Sequence, residues 1–210
     1  MTLWRRHRLS LIGIPVALAL AMLASGQRLQ HLWDPWGPRE PVSVTAAGWA
    51  ELEAPVPEDS GYRTYPFEVR LKDGRESLMH STHPGEELIP VDLVEGTRLY
   101  QVHLQFRADP NEPVIQCQVD LVDTEGAVYT PGLITPTFTE SDINPCLRSD
   151  RPGPSRLGEE PTDAFGDPLP PRPTTWERYV SFVIPKDRTP AEVRVWFRFP
   201  QAAILDLPPP

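Results

Sequence analysis

Beyond residue 41 the chain alternates apolar and polar side chains with a period of two. Residues 98–107 set Tyr100, Val102, Leu104 and Phe106 against Gln101, His103, Gln105 and Arg107, the pattern of a strand with one wet face. Residues 114–122 repeat it, with Ile115, Cys117, Val119 and Leu121 on one side and Gln116, Gln118 and Asp120 on the other. Residues 176–184 carry Val180, Phe182 and Ile184 opposite Tyr179, Ser181 and Val183. Residues 192–199 carry Val193, Val195, Phe197 and Phe199 opposite Arg194, Trp196 and Arg198. Weaker strands are predicted within 42–52, 65–71, 87–90, 127–129 and 203–207, and no amphipathic helix after residue 33.

Seven or eight short strands with proline-rich turns predict an all-β, two-sheet antiparallel sandwich over residues 42–207. Lys72-Asp73-Gly74-Arg75 and Asp123-Thr124-Glu125-Gly126 both read as turns, with glycine where a positive φ is easiest. The stretch Asp109-Pro110-Asn111-Glu112-Pro113 predicts a link between the two strongest strands, making them neighbours in one sheet. Proline has no N–H to give a ladder, so Pro110 and Pro113 stop both strands there.

The N-terminus is of another kind. Arg5, Arg6 and Arg8 precede residues 9–25, which carry no charge. As a helix, seventeen residues reach about 26 Å, close to the short limit for a bilayer. The predicted organisation is a cytoplasmic tail at 1–8, a transmembrane helix at 9–26, a juxtamembrane linker at 27–41 and an exported sandwich. Basic residues on the leading flank hold that end in the cytosol. Small residues at Ala19, Ala21, Ala24 and Gly26 offer a signal peptidase two sites, whereas Trp33 and Trp36 suit the interface beside a retained anchor.

Composition changes this picture little. The net charge is −9; setting aside the three arginines of residues 1–8, which include no acid, leaves −12 on the remainder. Such a surface repels nucleic acid and anionic lipid, and it keeps a domain in solution. Eighteen arginines against two lysines, Lys72 and Lys186, point to a high-GC coding sequence.

Residues 145–173 hold eight prolines among twenty-nine residues and few apolar side chains, Phe165 and Leu169 among them. Such a segment is either a loop that carries binding or a passive crossover between sheets. Its first residues include Cys146, and Cys117 falls on the apolar side of its strand; these are the two cysteines of the chain. In an exported protein they are expected to form one disulfide. No C-x-x-C motif suggests redox chemistry.

Catalytic signals are sparse. G-x-S-x-G, S-x-x-K, H-E-x-x-H and phosphate-cradling glycine motifs are all absent. His80 and His83, three residues apart and followed by Glu86 and Glu87, offer weak metal ligands. Thr82, Pro84 and Gly85 around them read as an exposed loop, and His103 as a solvent-facing strand residue. Carboxylates at Glu140, Asp142, Glu159, Glu160, Asp163 and Asp167 lack the alternating spacing of a calcium loop. No cofactor is expected.

The order of a basic start, one span, a tryptophan-bearing junction, Cys117 to Asp123 with Gly126, Pro145-Cys146, Pro152-Gly153-Pro154 and a late 182–185 segment resembles single-span exported proteins of high-GC Gram-positive bacteria. Over roughly residues 95–200 it is also similar to telokin-like, immunoglobulin-like extracellular modules. The resemblance implies an immunoglobulin-like sandwich with an accessory or binding role and carries no catalytic residues. The expected function is therefore a non-catalytic, membrane-anchored binding module of the cell envelope, with another envelope protein as partner and Trp196 as a contact. The alternative is an exported hydrolase or metal-dependent enzyme using His80 and His83.

Overall fold

The computed structural model describes residues 40–45, 47–58, 61–131, 144–197 and 201–208. The tail 1–8, the apolar run 9–26 and the linker 27–41 up to residue 39 lie outside the described residues, as do Glu140 and Asp142. No described helix is long and apolar enough to cross a membrane.

Among the described residues the structure is all-β. Its strands are β1 (Glu40–Val42), β2 (Ala50–Glu58), β3 (Gly61–Ser77), β4 (Met79–His80), β5 (Ile89–Pro90), β6 (Thr97–Arg107), β7 (Gln118–Asp123), β8 (Val128–Tyr129), β9 (Thr175–Pro185), β10 (Pro190–Trp196) and β11 (Gln201–Asp206). A four-stranded antiparallel sheet runs β2-β3-β6-β9, a five-stranded sheet runs β1-β11-β10-β7-β8, and β4 pairs with β5 in a small hairpin.

The period-two faces meet between the sheets. Val102, Leu104, Phe106, Val180, Phe182 and Ile184 from one sheet bury against Val119, Leu121, Val193 and Val195 from the other. Phe67 of β3 is the pivot. Its ring lies edge-on to Phe197 at 5.0 Å and beside Phe106 at 5.6 Å. Such aromatic contacts add specificity to the area that they remove from water.

Several expectations require correction. Residues 72–75 are not a turn: β3 continues to Ser77, with a register shift between Leu71 and Asp73 against β6. Gly74 serves packing there, because a Cβ would sit 2.6 Å from Leu207 Cδ2 and 2.7 Å from the Tyr100 hydroxyl. The 109–113 link does not join sheet neighbours; it carries the chain from β6 in one sheet to β7 in the other. Alternation reports which face is buried and is silent about which strand lies alongside. The strand predicted over 114–122 begins only at Gln118, after Gln116 adopts φ +58°. The sandwich is also not wholly antiparallel, since β1 pairs with β11 in parallel. Parallel neighbours need a long crossover, and here almost the whole domain lies between them. The 123–126 turn forms as predicted, with Gly126 at φ +85°.

Candidate functional site

The proline-rich segment 145–173 is secured at both ends and projects in the middle. Cys146 is bonded to Cys117, and both are fully buried. The Trp176 indole N–H at the start of β9 donates to the Cys146 carbonyl at 2.7 Å. At the other end Arg172 is only 1 % exposed. Its Nη2 donates to the carbonyls of Asp109 at 2.6 Å and Glu112 at 2.7 Å, and Nη1 to Pro152 at 3.4 Å. The guanidinium lies over the Trp176 ring, 4.8 Å from its centroid. Burial pulls its pKa down to about 10, against the favourable charges of Asp109 and Glu112. The side chain stays cationic at neutral pH and holds the turn at 109–112 and the backbone at Pro152 to its own end of the loop.

Between these anchors the chain makes an arm. Leu169 N–H donates to Pro161 O at 2.8 Å, Thr162 bridges to Pro168, and the tip is a tight turn. Asp163 Oδ1 accepts the N–H groups of Phe165 and Asp167, each at 2.9 Å, and Gly166 takes φ +89°. The turn at Asp123 is built alike: its Oδ1 accepts from Glu125 at 2.9 Å and Ala127 at 2.8 Å, with Gly126 at positive φ. The two differ in what they present. Glu125 is ion-paired to Arg188, whereas the corresponding Phe165 is 92 % exposed. An ordered backbone therefore holds an aromatic ring in water. Beneath the arm lies a cleft of about 480 Å³ whose lining includes Pro110, Pro154, Glu159, Glu160 and Leu169.

The histidines belong elsewhere. Of the expected exposed loop, Pro84 and Gly85 are exposed, but Thr82 is buried together with His80 and Ser81, because the chain after β3 folds back across the outer side of β6 and β9. His80 Nδ1 lies 3.1 Å from the Ser181 hydroxyl, which with Ser81 O also accepts from Gln101 Nε2. Thr82 O receives the Tyr179 N–H at 2.8 Å. His83 Nδ1 lies 3.1 Å from the Thr82 hydroxyl and 3.4 Å from Glu86 Oε2. Burial, followed by the Arg148 charge, holds the His83 pKa below its ordinary value. His103 is not solvent-facing as expected, for only 12 % of its side chain is exposed. It contacts Glu177 at 3.0 Å and Asp73 at 3.7 Å, and packs on Tyr179. Among the described residues no three His, Cys, Asp or Glu side chains converge as a metal shell.

Trp196 lies on the outer face of the five-stranded sheet, half-buried, its indole N–H donating to Asp120 Oδ2 at 2.6 Å. Phe165 and Arg172 were not singled out by alternation, since neither lies in a strand. Asp163 followed by Gly166 repeats the spacing of Asp123 and Gly126 and is a readable signal for the tip. Nothing local marks Arg172 as buried.

No protein-family model matches this chain, and no curated protein is similar to it. Two solved structures resemble it. One is an uncharacterised β-sandwich protein from Clostridium difficile 630, with 11 % identity, 82 % of this chain and 97 % of that chain covered, and a TM-score of 0.40. The other is a conserved hypothetical protein from Bacillus anthracis, with 16 % identity, 73 % and 96 % covered, and a TM-score of 0.35.

Proposed function

We propose that this chain is a non-catalytic binding module of the cell envelope, held at the membrane by residues 9–26 and engaging another envelope protein through the arm at its proline-rich loop. The observation that carries the reading is Phe165, 92 % exposed at the tip of a hydrogen-bonded turn. A large apolar ring held in water is a cost that a partner's pocket removes, and aromatic residues lead the energetics of interfaces. The Cys117–Cys146 bridge supports an oxidising compartment outside the cytosol. The resemblance over residues 95–200 to immunoglobulin-like, telokin-like modules implies the same accessory role, and the arginine-rich composition suits a high-GC bacterium. Trp196 is a secondary contact, since its indole is already tethered to Asp120.

The test places a photo-cross-linking amino acid at Ala164 of the full chain in its native membrane. A discrete adduct that disappears with Phe165→Asp is the expected result. Absence of any adduct, or one indifferent to Phe165→Asp, overturns the arm as the contact. Recovery of the protein from cytosol with both thiols free overturns the envelope placement.

A further inference from the structure

The cleft under the arm has its own chemistry. One wall is Pro110 and Asn111 from the turn after β6; the others are Gly153-Pro154 and the two limbs of the arm, at 158–161 and at Pro168, Leu169 and Pro171. A volume of about 480 Å³ lies within the range of roughly 300–1,000 Å³ in which ligand sites fall.

The walls are preorganised. Arg172 ties the backbone at Asp109, Glu112 and Pro152, so it fixes the turn and the Gly153 wall relative to each other. Gly153 takes φ +78°, and a Cβ there would approach Arg172 Nη1 to 2.9 Å. The arm's base is closed by the Leu169–Pro161 hydrogen bond, and Ser155 Oγ donates to Glu159 Oε2 at 2.5 Å. A site whose walls are already ordered loses little freedom when a ligand enters.

Its lining combines two features. Pro110, Pro154, Pro161 and Leu169 supply apolar ring and methyl surface, and prolines bring carbonyl acceptors without an N–H. The two charged side chains of the lining, Glu159 and Glu160, are both acids. In the turn that carries Pro110 and Asn111, burial and then the charge of Asp109 raise the Glu112 carboxyl above its ordinary range, against the charges of Arg172 and Arg63. Arg172 sits beneath Gly153, occupied with backbone carbonyls. The cleft therefore asks for a group that donates, is cationic and has flat faces to lie on proline rings. A guanidinium meets all three conditions, and it pairs with carboxylates through a planar fork where an ammonium acts as a point charge.

The geometry points to this cleft as the binding site for an arginine-bearing extended peptide segment of the partner. The inference rests on the reading of the chain as a binding module and adds the chemistry of what is bound. Phe165 and the cleft then act as two contacts on one arm, an apolar ring offered outward and an arginine received below.

The test uses the full chain in detergent micelles and a fluorescein-labelled nonapeptide of glycine and leucine carrying two arginines, followed by fluorescence anisotropy. A matched peptide carries citrulline, which keeps the shape of arginine and removes its charge. The arginine peptide is expected to bind, the citrulline peptide about tenfold or more weaker, since a charge-assisted pair is lost. The double variant Glu159→Gln/Glu160→Gln is expected to weaken the arginine peptide to a similar degree, with circular dichroism and the Cys117–Cys146 bond unchanged. No binding of the arginine peptide, equal binding of both peptides, or full binding by the double variant would each overturn the inference. Failure here leaves the Ala164 cross-link and its dependence on Phe165 intact, so the two readings fail separately.

Discussion

The indole N–H of Trp176 donates to the carbonyl oxygen of Cys146, 2.7 Å away, while the Cys146 sulfur is bonded to Cys117. The start of the proline-rich loop is thus tied to β9 by a hydrogen bond and to the entry of β7 by a covalent bond. These two strands belong to different sheets, so the loop's root spans the sandwich.

Reduction should therefore act on the loop before the sheets. Closing 29 residues stabilises a fold by at most about 3.5 kcal/mol through chain entropy, and the strands keep their own core. In limited proteolysis of the full chain, residues 147–171 are expected to become susceptible after confirmed reduction, at urea concentrations where the strands stay protected. Unchanged cleavage would remove the bridge's role in ordering the loop.

Arg172→Met should lower stability by about 1–3 kcal/mol, because it leaves the part-buried carbonyls of Asp109 and Glu112 without their donor. Arg172→Lys keeps the charge but not the fork and is expected to fall between the variant and the natural protein. Urea unfolding at neutral pH measures both. A loss below about 1 kcal/mol for Arg172→Met would show that those carbonyls find water instead.

Gly74→Ala is expected to destabilise by about 1–3 kcal/mol through overpacking, since its Cβ would collide with Leu207 and the Tyr100 hydroxyl. Pairing it with Leu207→Ala should recover part of the loss that Gly74→Ala causes, which a double-mutant cycle reads directly. Strict additivity of the two changes would place the strain elsewhere.

His83 makes stability depend on pH. Burial and the Arg148 charge depress its folded pKa, so the unfolded chain binds the proton more readily. The contribution is complete above the unfolded value of about 6.5 and is lost as pH falls through the folded value. The urea midpoint is expected to drop between pH 7.5 and 5.5, and to drop less in His83→Gln. An equal drop in both proteins would assign the effect to other groups.

Alternation along residues 98–107, 176–184 and 192–197 determined by itself that the described domain is all-β and which face of each of these strands enters its core. Val102, Leu104, Phe106, Val193 and Val195 are buried as that pattern requires, because a strand's two faces are set by its own backbone geometry. The disulfide was legible too, from two cysteines in a chain expected to be exported. Partnership was not. Only the tertiary structure decided that β6 and β7 lie in different sheets, that Gly74 is a packing residue within β3, and that His80 and His103 are covered. Each depends on what a distant segment lays across the residue, and local pattern carries no record of that. The candidate site divides the same way. Asp163 and Gly166 encode the turn that lifts Phe165 within five residues of chain, whereas Arg172 acquires its role only when the turn after β6 folds down over it.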